Sequence, residues 1–556
     1  MTNEMRIASC VLASLAGLQL CHGFVLPTHN VRRTESGSVR GIITTQGQSY
    51  LGIPYGKASR FSHSVAFGAW NGIRSAEKYG PQCYQPLALC QISPESCNKE
   101  MSEDCLTLNV YTPRRAKYPS GDDSCNWKHK YPVLVWIHGG YYQAYSAGSP
   151  YYNGLDLASA AGIIVVTLNY RLGPLGFLKI PGVEESGNYG FYDQRLALEW
   201  VKRNIHYFGG NPKKVTLGGE SAGAHATLFH MMMPRSQPLF QRAILMSAPG
   251  IEVPTSDDST KTAVALMSSL KCDLKDNAIK CLREKSVHDI TALSLQLPAP
   301  QNFLHTFQRF GVYIDGLEIT ESFFNNSNSK HKFGDKPLLI GTSEYEALRL
   351  VYNTLKQPIP LPAFSAVVSQ WRPAIVQETQ RLYMASPSSS MDIRPEISNL
   401  LTDALFTCPA RFLAGRIASE SNVWVYVFNH PNFDTYNTPL SCDDRACHVD
   451  DFPYLFLHPK LVSGVPDKYF PQLSKLMVEY FGNFVKRANP NSRKMRPVWL
   501  RHKRELVSEK MKEKRKWKLP LSDDFTLELR YPDPRMIQHY RRDRCDYWDK
   551  VGYRKE

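Results

Sequence analysis

A serine with glycine two residues before it and two after can act as a nucleophile, and Gly219-Glu220-Ser221-Ala222-Gly223 places Ser221 in that setting. The surrounding stretch, KKVTLGGESAGAHATLF, reads as a strand over Val215 to Gly218, an abrupt turn, and a helix beginning near Ala222. A strained strand-to-helix turn exposes the serine hydroxyl, and the glycines let neighbouring backbone approach closely. The first helical N–H groups then point at a developing oxyanion. Five residues of this pattern also occur in ordinary glycine-rich loops. The chemistry needs a base, an orienting acid and further oxyanion donors elsewhere in the chain.

The elements that would position them are legible as apolar runs. Tyr131 to Ile137 has strand length and ends abruptly at His138-Gly139-Gly140-Tyr141-Tyr142. Gly162 to Asn169 is a second such run, and a short helical stretch over Leu155 to Ala161 lies between the two. Gly190 to Phe208 carries Leu196, Leu198, Val201 and Ile205 at helical spacing. Arg242 to Ala248, Pro337 to Gly341 and Asn422 to Phe428 read as later buried strands, and Val39 onward as an antiparallel hairpin turning at Gly47. Continuous apolar strands alternating with helices predict an α/β fold, with a mostly parallel sheet covered on both faces. Helical and loop insertions are expected around 255–330 and 350–420. No linker or internal repeat marks a boundary, so one large domain is expected over 24–556.

Residues 1–23 read as a secretory signal. Arg6 is followed by an apolar run from Ile7 to Leu20, with small residues before Phe24. No other stretch has the ~18 to 20 apolar residues that cross a bilayer. The chain carries thirteen cysteines, and the eleven beyond the signal fit an oxidising compartment. Cys83 and Cys105 enclose a long polar excursion and are expected to bond, with Cys90 and Cys97 a further candidate pair. Asn325-Asn326-Ser327 is a glycosylation sequon, placing Asn325 on a surface loop. The net charge of +15 is concentrated in part in Arg501 to Lys518, where nine Lys or Arg meet three Glu. A solvated surface or a polyanion contact would each use this stretch, but no nucleic-acid-binding motif accompanies it.

Read together, YLGIPYG, SEDCLTLNVYTP, VWIHGG, NYRLGPLGFL, the long run from GNYGFYDQ to GGESAGAH, and ACHVDDFPYLF make the chain resemble the type-B carboxylesterase/cholinesterase family of α/β hydrolases. The resemblance covers about 40–550. It implies an α/β-hydrolase fold, Ser221 as nucleophile and His448 as base. In the family's D-E-G-like context the acid position falls on Glu346, with Glu344 the neighbouring competitor. It further implies backbone donors at Gly140, Tyr141 and Ala222, and bonds Cys272–Cys281 and Cys408–Cys545. Cys442 and Cys447 could pair, which leaves Cys125 as the odd cysteine. No cofactor and no metal is implied.

Two departures bear on function. Tyr141 stands where the family has a small residue, and its phenol would narrow the acyl site. Ala347 replaces the glycine after the acid. The family's choline-recognising aromatic is missing from ISPESCNKEMSEDC, and its acidic partner is Ala88 here. The expected function is therefore a secreted serine hydrolase cleaving carboxylic esters through an acyl-enzyme intermediate, with a small-molecule ester as its partner and a homodimer compatible with the fold. The alternatives are an esterase-like binding or adhesion protein of weak or no activity, and a cholinesterase.

Overall fold

The computed structural model describes residues 30–92, 100–114, 130–251, 253–272, 277–297, 309–324, 333–384, 392–431, 442, 444–459, 467–502 and 524–553. The 1–23 signal, Asn325, Cys97, Cys125, the side chain of Cys90 and residues 503–518 of the basic stretch lie outside the described residues.

An 11-stranded sheet organises the chain. Its strands are β1 (Ile42–Ile43), β2 (Gly47–Pro54), β3 (Thr107–Pro113), β4 (Tyr131–Ile137), β5 (Ile164–Leu168), β6 (Gly210–Glu220), β7 (Arg242–Met246), β8 (Leu338–Ser343), β9 (Val423–Phe428), β10 (Phe525–Leu529) and β11 (Arg535–Gln538). The spatial order is 11-10-9-8-7-6-4-5-3-2-1. Every pair from β5 through β4 and β6 to β10 is parallel, and the two margins are antiparallel. This is the mostly parallel sheet expected from the apolar runs and the α/β-hydrolase architecture that the family resemblance implies.

Those runs are continuous because both sheet faces are covered. Successive side chains of a strand point to opposite faces. On β4, Val133, Val135 and Ile137 join one buried cluster, while Leu134 and Trp136 join the other. The first cluster is completed by helices α2 (Tyr189–Asn204) and α3 (Ala222–Met232), through Leu198, Val201, Leu228 and Phe229. The second is completed by α1 (Leu155–Ala161) and α5 (Phe470–Arg487), with α4 (Cys408–Ile417) lying between α3 and α5 in the chain. Leu473, Met477, Phe481 and Phe484 form the inward stripe of α5 at helical spacing. Each such fully buried side chain stabilises the fold by roughly 1.5–3 kcal/mol relative to exposure.

The segment after β7 and the segment after β8 are helical, as expected for the insertions. The sheet extends further than the apolar runs alone indicate, because β3, β10 and β11 were not among the strands read from them. Residues 525–529 (FTLEL) are short and follow a strongly charged stretch, so their pattern offers little contrast. No helix among the described residues is long and apolar enough to cross a membrane.

Four disulfides join described residues: Cys83–Cys105, Cys272–Cys281, Cys408–Cys545 and Cys442–Cys447. The first three match the expected pairs, and the last resolves a pairing left open. Cys408–Cys545 spans 137 residues and ties the C-terminal helix α6 (Arg542–Val551) to α4.

Candidate active site

Strand β6 ends at Glu220, and Ser221 turns the chain with φ 55° and ψ −123° before α3 starts at Ala222. A non-glycine residue held there is strained, which is why the turn needs external fastening. The Ser221 N–H supplies it, donating to the Met246 carbonyl on β7 at 2.9 Å. The flanking glycines are required by close approach. A Cβ on Gly219 would lie 2.3 Å from the Gly223 carbonyl carbon, and one on Gly223 only 2.0 Å from the Ile137 carbonyl oxygen. The elbow is thus wedged against the end of β4, where the His138–Tyr142 turn begins.

That turn runs beside the serine, since a Cβ on Gly139 would sit 3.2 Å from Ser221 Cβ and 2.7 Å from Glu220 Oε2. Gly140 and Tyr141 both have positive φ, 95° and 57°. Tyr141 therefore adopts a left-handed conformation that costs a non-glycine residue roughly 1–2 kcal/mol. The turn is braced by Gln143 and Ala144 N–H groups donating to the Gly140 carbonyl, at 2.8 and 2.9 Å. Among the described residues the Gly140 and Ala222 amides find no acceptor. Tyr141 is 39% exposed, yet its hydroxyl is pushed up to about 12, first by desolvation and then by the Glu220 anion. The ring is therefore partly in solvent and within electrostatic reach of the Glu220 and Glu346 carboxylates.

Glu346 follows the end of β8, and its Oε1 accepts the Ser343 N–H at 2.7 Å. Its Oε2 meets His448 Nδ1 at 2.5 Å. Glu346 is 1% exposed, so this pair is sheltered from water. The loops carrying the two residues are stitched together where the Tyr345 N–H donates to the Ala446 carbonyl at 2.9 Å. The Cys442–Cys447 bond closes the histidine loop one residue before His448. The competing carboxylate, Glu344, is engaged by Arg541 at 2.8 Å and by Tyr540, not by His448. Ala347, in place of a glycine, fits without strain at φ −87° as it leads into the helix Leu348–Thr354.

A family model described as the carboxylesterase family matches residues 28–548. The chain belongs to the carboxylesterase family. It is 31% identical to a cocaine esterase of Oryctolagus cuniculus, over 83% of this chain and 88% of that one. Against the para-nitrobenzyl esterase of Bacillus subtilis the identity is 30%, covering 84% and 91%. The crystal protein of Dictyostelium discoideum, whose name states no activity, is 31% identical over 82% of each chain.

For a carboxylesterase the surroundings of His448 hold two further carboxylates that spacing arguments overlooked. His448 Nε2 lies 3.3 Å from Glu220 Oε1, and Asp451, bonded to the Tyr426 hydroxyl at 2.7 Å, is buried nearby. Glu220 occupies a variable position of the serine motif, and its signal was a charge at the end of the buried run from Val215. The Asp450-Asp451 doublet after His448 was equally readable as a marker and carried no assigned role. Desolvation lowers the His448 pKa, but Glu346 and then Glu220 more than offset it, and the net shift is upward. Glu220 and Asp451 are themselves raised, in both cases chiefly by burial.

Imidazolium is inert as a base, so activity should rise with pH as His448 loses its proton. Glu220→Gln removes a neighbouring anion and lowers the His448 pKa. The acid limb of a kcat/KM profile should then move to lower pH by on the order of one unit. A limb that stays in place, or moves up, would show that Glu220 does not act on His448.

Proposed function

We propose that the protein is a secreted serine esterase that cleaves neutral carboxylic esters through an acyl-enzyme on Ser221. The observation that carries this reading is the part-buried 2.5 Å contact of His448 Nδ1 with Glu346, with Nε2 turned toward the end of the strand that presents Ser221. Membership of a family with esterase-named relatives supports the ester bond as target. The signal-like residues 1–23 and the disulfides support secretion.

In this reading neutral His448 takes the Ser221 proton as Oγ attacks the carbonyl carbon. The oxyanion is received by the N–H groups of Gly140, Tyr141 and Ala222, each worth on the order of 3 kcal/mol. His448 then gives the proton to the departing alkoxide, and the alcohol leaves. Water repeats the cycle on the acyl-enzyme and releases the acid. Glu346 fixes the imidazole tautomer and stabilises the imidazolium.

The stretch ISPESCNKEMSEDC, which would need an aromatic face for a quaternary ammonium, has none, and Ala88 lies exposed on the short helix Leu87–Ile92. Hydrolysis of acetylthiocholine and of its isosteric neutral thioester decides the substrate class. The neutral ester should be turned over at least as well. A strong preference for the cation would contradict the reading and restore the cholinesterase alternative.

A further inference from the structure

Glu344 lies two residues before Glu346, and its carboxylate turns toward the C-terminal segment. The Tyr540 hydroxyl donates to Glu344 Oε2. Arg541 Nη2 donates to Glu344 Oε1 at 2.8 Å and to the Glu344 carbonyl oxygen at 2.9 Å. Nη1 of the same guanidinium pairs with Asp403. Asp403 also accepts from the Tyr383 hydroxyl at 2.9 Å and from Arg544 at 3.4 Å. The Asp403 side chain is fully buried and that of Arg541 is 9% exposed.

What Asp403 carries matters for the site. It opens a π-helical turn, Asp403–Thr407, a rare element that recurs at functional positions. Thr402, just before it, accepts the Ala347 N–H at 3.0 Å through Oγ1, fixing the residue after Glu346. Phe406, within the turn, packs on the His448 ring with centroids 5.3 Å apart. One guanidinium therefore grips the loop that carries the acid and the turn that backs the base.

Arg541 is itself anchored independently. Helix α6 is bonded to α4 by Cys408–Cys545, and Trp548 Nε1 donates to the Tyr383 hydroxyl at 2.9 Å. A buried ion pair is weak evidence for stability, because apolar replacements often serve as well. A planar fork engaging two carboxylates instead fixes direction.

Building on the reading of Ser221, His448 and Glu346 as the triad, we propose that Arg541, assisted by Tyr540, is a positioning residue for the Glu346–His448 pair. It acts by holding Glu344 and Asp403 in fixed relation. Reacting groups displaced by about 1 Å lose on the order of 100-fold in rate, so a loosened clasp should show in kcat before it shows in substrate binding.

The test uses the full chain and three substitutions: Arg541→Lys, which keeps the charge but loses the fork; Glu344→Gln, which keeps the shape; and Tyr540→Phe, which loses one hydroxyl. Active sites are counted from the endpoint of phosphonate incorporation at Ser221, so that unfolded protein does not enter kcat. A wild-type protein that neither incorporates the label nor hydrolyses nitrophenyl acetate would remove the triad reading itself. With wild type active, Arg541→Lys should lower kcat per labelled site about 10- to 100-fold, with KM within about twofold of wild type. Glu344→Gln and Tyr540→Phe should lower kcat less. The acid limb of kcat/KM should move to lower pH, because a more loosely held Glu346 stabilises the imidazolium less. If Arg541→Lys fails to fold, Tyr540→Phe alone decides, since it leaves both ion pairs intact. Unchanged kcat per site and an unmoved acid limb, with only a lower Tm, would overturn the proposal and leave the cluster a structural tie.

Discussion

Ser221→Ala should abolish ester hydrolysis, with a fall in kcat on the order of 10⁶-fold and little change in Tm. The expectation follows from where the side chain stands. Ser221 holds its positive φ through its own amide, which donates to Met246, so the elbow survives loss of the hydroxyl. The methyl of alanine fits where the serine Cβ already sits, and what disappears is the oxygen that forms the acyl bond in the proposed mechanism. His448→Ala should cost a similar factor, and the double substitution little more, because residues acting as a unit are not additive. Steady-state hydrolysis of nitrophenyl acetate by purified variants measures all three. Substantial residual turnover in Ser221→Ala would mean that another group is the nucleophile.

The second large effect separates two glutamates two residues apart. Glu346→Gln should lower kcat on the order of 10⁴-fold. The glutamine oxygen can still accept the Ser343 N–H, which leaves its NH₂ facing His448 Nδ1. That amide favours the tautomer with the proton on Nε2, which is the wrong one for taking a proton from Ser221. Glu344→Gln disturbs a contact with Arg541 and Tyr540 instead, and should cost on the order of tenfold. A larger loss at Glu344 than at Glu346 would reverse the assignment of the acid. Both comparisons are made at saturating substrate, with Tm recorded to exclude unfolding.

Much of this site could be read before the fold was seen, and the reasons are local. The elbow demands Gly219 and Gly223 because backbone from β4 presses on it, so geometry is written into residue type. Strands β4 to β9 announced themselves because both faces are buried, which forces continuous apolar runs. The choice between Glu344 and Glu346 was harder. Both side chains are acidic and both lie in one loop, and only their partners, Arg541 for Glu344 and His448 for Glu346, some 100 to 200 residues further on, distinguish them. Glu220 and Asp451 escaped for the same reason. Their importance comes from proximity to His448 in space, and neither carries a spacing rule.

Tyr141 sharpens what the sequence raised. Its backbone sits in the left-handed region at φ 57°, so the turn accommodates a bulky residue there. The ring is partly exposed and within electrostatic reach of Glu220.

The most direct test of the central claim is covalent. The purified protein is treated with a fluorophosphonate, and the adduct is located by peptide mass spectrometry while hydrolysis of a nitrophenyl ester is followed in parallel. The account predicts one phosphonyl group, on the peptide containing Ser221, with activity lost in proportion to labelling and no adduct in Ser221→Ala. Hydrolysis that persists after Ser221 is fully labelled, or loss of activity with the adduct on another residue, would contradict it.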